Sequence, residues 1–376
     1  MSLQLTHPVT AVVSLLPGIE SDRRPTDEAL DLIAATPTLI PLAVDSNGID
    51  GDQIYWADLG SHDFQEWQLV YSIEAAVDAG TIGQYFSTSI DILDEPIPVE
   101  SLEPTGFIFH MARCGSSLVS RALARSPRHL VLSQPTVLRD GIWSLMTGRW
   151  AHEPGTDERS VTMFRNLLGY LLRPRSPLAE AAFIKFFSEN VVFLDFVRAA
   201  FPETPCLFLH RDPIEVLASV SETSTGMLLA RGTPRGAMMA GLQPGEDEAM
   251  SDTELIARCF GRYFDVVLGS DPAGLTTLDY RHLRPQNFAA IIDDAFGYQL
   301  PEADLDAVLD QFGLYSKARP GAAIPHRDDT ARKQSAVPEE DKEVLRAVLG
   351  EALDRLEHLG WNPPGGGANL GKAARC

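Results

Sequence analysis

The stretch from Gly106 to Ala124, GFIFHMARCGSSLVSRALA, limits what this chain can fold into more than any other. Gly106-Phe107-Ile108-Phe109 is an apolar run that reads as a buried strand. The loop Met111-Ala112-Arg113-Cys114-Gly115 follows, and Ser116-Ser117 opens the next segment. From there Leu118, Val119, Ala122 and Leu123 recur with the stripe of a helix packed on a sheet. A strand that turns through a tight glycine-containing loop into a helix aims free backbone N–H groups at one point, at the positive end of the helix dipole. A phosphate or sulfate group belongs there. The loop lacks the G-x-x-x-x-G-K-[ST] spacing of a nucleoside-triphosphatase loop, and Arg113 is its only cation.

Composition narrows the partners. A chain of 376 residues with 44% hydrophobic content can bury a large core. A net charge of −21 argues against a duplex nucleic-acid partner, whose phosphates it would repel. An anionic ligand must then be held by a few local Arg and Lys residues. The four cysteines, Cys114, Cys206, Cys259 and Cys376, show no C-x-x-C spacing, so the expectation is no zinc site, no disulfide framework and a reducing cytoplasm. Cys114, inside the anion loop, is either a low-pKa thiol favoured by the dipole or simply a small side chain in a crowded turn. No apolar run approaches a membrane span, and MSLQLTHPVT has no charged-then-apolar signal pattern.

Along the chain, residues 1–100 read as an N-terminal α+β extension of unassigned function. It holds a short helix over Asp27 to Ala35, a strand over Gln53 to Leu59 and a helical stretch over Phe64 to Ala79. The acidic, proline-rich Asp94 to Pro104 connects it to a domain spanning 101–362. There, short apolar strands (Leu130 to Leu132, Phe183 to Phe186, Cys206 to Leu209, Gly274 to Leu278) alternate with amphipathic helices (Thr136 to Met146, Arg159 to Leu172, Asn190 to Ala200, Pro285 to Ala295, Glu302 to Phe312, Glu339 to His358). That alternation predicts an α/β fold, a three-layer parallel sheet covered by helices on both faces, with ligands beyond the carboxyl ends of the strands. The Gly/Pro/Ala-rich tail, 363–376, is expected to be disordered.

A second strand–helix junction lies at Leu207 to Ser221, LFLHRDPIEVLASVS. Asp212 as N-cap, Pro213 at the first helical position and Glu215 in a capping box are explained by helix chemistry alone. Arg211 ends the strand, and Ser219 returns to nearly the same helix face two turns on, so together they can present a guanidinium fork and a hydroxyl to one phosphate. A surface ion pair is the plain alternative for Arg211.

The string R-C-G-S-S-L at Arg113 to Leu118 resembles the phosphosulfate-binding loop of the sulfotransferase family, usually R-S-G-T-T-L or K-S-G-T-T-W. R-D-P-x-x-V-x-x-S, from Arg211 to Ser219, is similar to that family's 3′-phosphate motif at the same spacing. The resemblance covers about residues 105 to 337 and implies a P-loop NTPase-like fold of sulfotransferase type, with 3′-phosphoadenosine 5′-phosphosulfate (PAPS) as co-substrate and 3′-phosphoadenosine 5′-phosphate as product. By the same resemblance, Arg113, Cys114, Gly115, Ser116, Ser117 and Leu118 receive the 5′-phosphosulfate, and Arg211 and Ser219 the 3′-phosphate. Tyr280, in Thr277 to Leu283, resembles the tyrosine near the nucleotide, although Arg281 and His282 replace the family's acids. Arg332-Lys333 resembles an Arg-Lys-Gly segment that closes over the 3′-phosphate, with Gln334 in place of the glycine; a solvated basic pair is an equal reading.

Sulfuryl transfer asks a protein to hold groups in line and to stabilise charge on the leaving oxygen. Lys185 ends the strand Phe183-Ile184 and resembles the family's strand-end lysine; a snorkelling surface lysine is the alternative. No metal is required. The acceptor needs a general base, and the family's two usual positions hold Gln134 and Phe187 here. Glu189 is the nearest carboxylate after Lys185 and is the expected base, with His110 as the other contender. The expectation is a cytoplasmic sulfotransferase acting on the hydroxyl or amine of a small molecule, with no nucleic-acid or membrane partner and a homodimer left open. A P-loop kinase-like phosphotransferase and a non-catalytic nucleotide-binding scaffold remain as rivals.

Overall fold

The protein is described as a computed structural model over residues 7–46, 51–221, 226–318, 324–325 and 330–363. The tail expected to be disordered lies, from residue 364 on, outside the described residues.

The first hundred residues form a three-stranded antiparallel sheet, β1 (Leu39–Asp45), β2 (Gln53–Asp58) and β3 (Tyr85–Ser89), in that order. Helices Pro8–Leu15, Thr26–Ala35 and Leu69–Asp78 accompany it. β1 and β3 go beyond the single strand anticipated. β1 is buried along almost its whole length, so it lacks the alternation that marks a half-buried strand, and the polar Ser87 and Thr88 of β3 are also buried.

The larger sheet has five parallel strands: β4 (Pro104–His110), β5 (His129–Ser133), β6 (Ala181–Lys185), β7 (Cys206–His210) and β8 (Leu275–Asp279). Their order is β5-β6-β4-β7-β8. Every residue of β5, β6 and β7 is buried, which requires cover on both faces, and flanking helices supply it. The α/β, helix-flanked parallel sheet is therefore the fold expected. The order places the topological switch at β4: its neighbour on one side is β6, on the other β7. Ile108 pairs with both Lys185 and Leu207, so the carboxyl ends of these three strands lie side by side.

Helix-level differences have local causes. Thr136 to Met146 is a 3₁₀ turn, Thr136–Leu138, and then a helix, Gly141–Met146. Asn190 to Ala200 likewise begins as a 3₁₀ segment, Ser188–Phe193, before the helix Leu194–Ala200. One long helix, Asp252–Gly269, adds to the anticipated set; Ser251 and Glu254 close a capping box, and Leu255, Ile256, Cys259, Phe260, Tyr263, Phe264 and Val267 form its buried stripe.

The extension shares one apolar core with the larger sheet. The Trp56 ring of β2 packs edge-on against Tyr170 at 5.0 Å. Thr136 Oγ1 donates to the Leu42 carbonyl, and Arg173 Nη1 to the Thr36 and Leu39 carbonyls (2.9 and 3.1 Å).

Candidate anion-binding site

β4 ends at His110 and the chain turns back into the helix Ser116–Leu123. Ala112, Arg113 and Gly115 all take positive φ (81°, 52° and 89°). Only Gly115 does so without steric penalty, so Ala112 and Arg113 hold strained backbone, which surrounding structure must enforce. The alternation of backbone handedness gathers N–H groups into a concavity at the helix N-terminus. Leu118 and Val119 N–H donate to the Gly115 carbonyl (2.8 and 3.2 Å), which closes the first turn.

The two sequence motifs meet directly. Arg113 Nε donates to Ser219 Oγ at 2.6 Å. Arg211 donates through Nε to Glu215 Oε2 at 2.7 Å, and its guanidinium carbon lies 4.2 Å from the centroid of the Tyr280 ring. Tyr280 also leans on the anion loop, since a Cβ at Gly115 would come within 2.8 Å of Tyr280 and Leu283. Arg113, Arg211, Ser219 and Tyr280 are thus one cluster. The helix Thr330–Ala336 packs on the helix Pro213–Ser221, with Gln334 Nε2 donating to Asp212 Oδ2 at 2.7 Å. On it Lys333 is buried and Arg332 exposed.

Lys185, at the end of β6, is buried and is no snorkelling surface lysine. Its Nζ donates to Ser117 Oγ (3.1 Å) and to the Trp67 carbonyl (3.2 Å). Burial lowers its pKa to about 7. Trp67 comes from the extension, which also sends Gln68 Nε2 to Gln134 Oε1 at 2.7 Å. Lys317, which no sequence motif marks, stands with its Nζ 5.0 Å from the centroid of Trp67. Burial pushes its pKa well down, and Arg113, Lys185 and Lys333 push it the same way. The opposing influence is Cys114, a thiol that stays protonated. Burial drives it up to about 12 and Sγ donates to the Leu209 carbonyl at 3.2 Å, so the low-pKa alternative for Cys114 is overturned. In a chain of net charge −21, the carboxyl ends of β4 and β6 therefore gather cations with neutral partners.

Both expected bases are engaged elsewhere. Glu189 Oε1 accepts from Arg235 Nη2 (2.7 Å), Oε2 accepts from Ser188 Oγ (3.2 Å), and Arg235 Nη1 sits 2.9 Å from Asp140. With Arg139 nearby, these form a closed, buried and charge-balanced group. Burial pulls the Arg235 pKa down, but the two carboxylates more than offset it. His110 accepts at Nδ1 from the Ala112 N–H (3.0 Å) and donates from Nε2 to the Phe186 carbonyl (3.1 Å), a neutral ring holding the loop in shape. Burial, then Lys185, pushes its pKa well below the ordinary value. Phe187 lies under Arg139, 5.7 Å from ring centroid to guanidinium carbon.

Among the described residues, no group of three or more His, Cys, Asp or Glu side chains is arranged to hold a metal ion, and no helix is long and apolar enough to cross a membrane. No family model matches the chain, and no curated protein matches it. It is similar in structure to sulfotransferase STF1 from Mycobacterium tuberculosis H37Rv, at 14% identity over 66% of this chain and 77% of that one, with a TM-score of 0.37. Sulfotransferase STF9 from Mycobacterium avium matches at 13% identity over 70% and 78% of the two chains, TM-score 0.39. The sulfotransferase domain of the Synechococcus PCC 7002 olefin synthase matches at 14% identity over 71% and 98%, TM-score 0.40.

Proposed function

We propose that this chain is a PAPS-dependent sulfotransferase, transferring a sulfuryl group to the hydroxyl or amine of a small-molecule acceptor in the cytoplasm. The observation that carries this reading is the junction of β4, β6 and β7, where Lys185 ends β6, Arg211 directly follows β7 and Arg113 stands in the glycine turn after β4. A ligand with a doubly charged phosphate at one end and a sulfated phosphate at the other suits such a pair of cationic corners.

In this reading the loop N–H groups, Arg113, Ser116 and Ser117 receive the 5′-phosphosulfate, and Arg211, Ser219 and Lys333 the 3′-phosphate. Bound PAPS supplies an activated sulfuryl group whose departure leaves charge on the bridging oxygen. Lys185, already held toward Ser117, is the proton-bearing group aimed at that end of the loop. Tyr280 positions Arg211 through ring contact. Glu189 is a structural anion for Arg235 rather than the general base, because taking a proton would leave two guanidinium groups, Arg139 and Arg235, to the single carboxylate of Asp140.

Titration calorimetry with 3′-phosphoadenosine 5′-phosphate against ATP tests the reading; binding of the first and not the second is expected, and preference for ATP would move the chain to the kinase-like class. Arg211→Ala should weaken binding of the 3′-phosphorylated nucleotide by roughly tenfold to a hundredfold. Adenosine 5′-phosphosulfate, which lacks that phosphate, should bind the variant unchanged, and equal losses for both ligands would contradict the assignment. Transfer of radiolabelled sulfate onto a metabolite extract then separates an enzyme from a scaffold.

A further inference from the structure

Lys317 belongs to neither motif, yet the fold spends contacts on placing it. Its neighbours Ser316 and Ala318 offer their carbonyls to Arg121 Nη1 (3.2 and 2.8 Å), and Arg121 lies on the helix that begins at the anion loop. The segment is thereby fixed to the loop's own helix. Its Nζ sits over the Trp67 ring, while the carbonyl of the same Trp67 accepts from Lys185. One residue of the extension holds two lysine side chains from elements far apart in the chain.

The partners are informative because they are neutral. An aromatic face and an amide carbonyl orient a cation without cancelling its charge. Arg235, by contrast, is balanced by Glu189 and Asp140, and the arginines that meet main-chain carbonyls, Arg121 and Arg173, brace the fold. Two like charges held near one another in low dielectric repel, and an anion lying between them relieves that repulsion.

We propose that Lys317, positioned by the Trp67 ring, is a second cationic residue for the terminal sulfo group of the donor, sharing Trp67 with Lys185. This rests on the PAPS reading above and extends it to two residues outside the motifs. It also gives the N-terminal extension a part in donor recognition.

The test compares PAPS with 3′-phosphoadenosine 5′-phosphate, which lacks the sulfo group, by equilibrium binding to the full chain. Lys317→Met is expected to weaken PAPS at least roughly tenfold while leaving the product nucleotide within about threefold. Lys317→Arg should keep the preference for PAPS. Trp67→Leu, which keeps the main-chain carbonyl, should show the same selective loss, and Trp67→Phe should restore it. Equal weakening of both nucleotides by Lys317→Met would overturn the inference alone, placing Lys317 with the 3′-phosphate or with the fold. Wild-type protein that binds neither nucleotide would overturn the PAPS reading and this inference together.

Discussion

Lys185 is held by Ser117 and the Trp67 carbonyl, and burial brings its pKa from 10.5 to about 7. Between those values Lys185 is less protonated in the folded chain than in the unfolded one, so its contribution to ligand-free stability rises with pH across that window. Below about 7 the full cost of charging the buried amine is present, on the order of a few kcal/mol. Lys317, lowered as well, adds to the same window, so denaturant melts at several pH values should show a slope that is reduced in Lys185→Met; a slope unchanged from the wild type would assign it to other groups. The same variant should slow turnover by roughly 10²–10⁴-fold while changing nucleotide affinity far less. At this scale the sequence marked Arg113, Arg211, Ser219 and Tyr280 because they sit in contiguous strings with fixed spacing. Lys317 was illegible, since only the tertiary path brings it to Trp67. Glu189 is close to Lys185 in sequence, but its carboxylate, on the 3₁₀ segment Ser188–Phe193, pairs with Arg235, a residue forty-six positions on that no local pattern links to it.

The turn from β4 into its helix is the element on which the site depends. Gly115 has φ of 89°, and a Cβ there would press on both Tyr280 and Leu283 at 2.8 Å. Gly115→Ala should therefore cost about 1–2 kcal/mol from the backbone alone, with overpacking added. It should also abolish nucleotide binding, because relieving the clash displaces the N–H groups of the loop. Thermal melts and calorimetry on one preparation check both outcomes, and an unchanged affinity would remove the loop from the site. Elements were legible where the pattern was local: β5 to β8 are short apolar runs between helices, and each falls within a residue or two of its expected limits. β1, with Pro41 inside a run buried on both faces, and β3, with its buried Ser87 and Thr88, carry no such pattern. The helix Asp252–Gly269 had its capping box and stripe in plain view, and its absence from the anticipated set has no physical excuse.

Across the whole molecule, the extension and the parallel sheet are joined by one continuous core and by Thr136, Arg173 and Trp56. Expression of residues 101–376 alone is expected to give insoluble or unfolded material, and calorimetry of the full chain to show a single cooperative transition. A soluble fragment that binds 3′-phosphoadenosine 5′-phosphate would show that the boundary near residue 100 is a true domain boundary. Composition said nothing of this union; the shared core, the Trp56–Tyr170 contact and polar bridges such as Gln68 to Gln134 reveal it. The Trp67 carbonyl has one more implication. An engineer who transplants the Arg113–Leu118 turn and its lysine strand into another scaffold leaves behind an oxygen that the amine leans on. Such a graft would carry the motif's letters without its geometry, unless a substitute acceptor were built into the host.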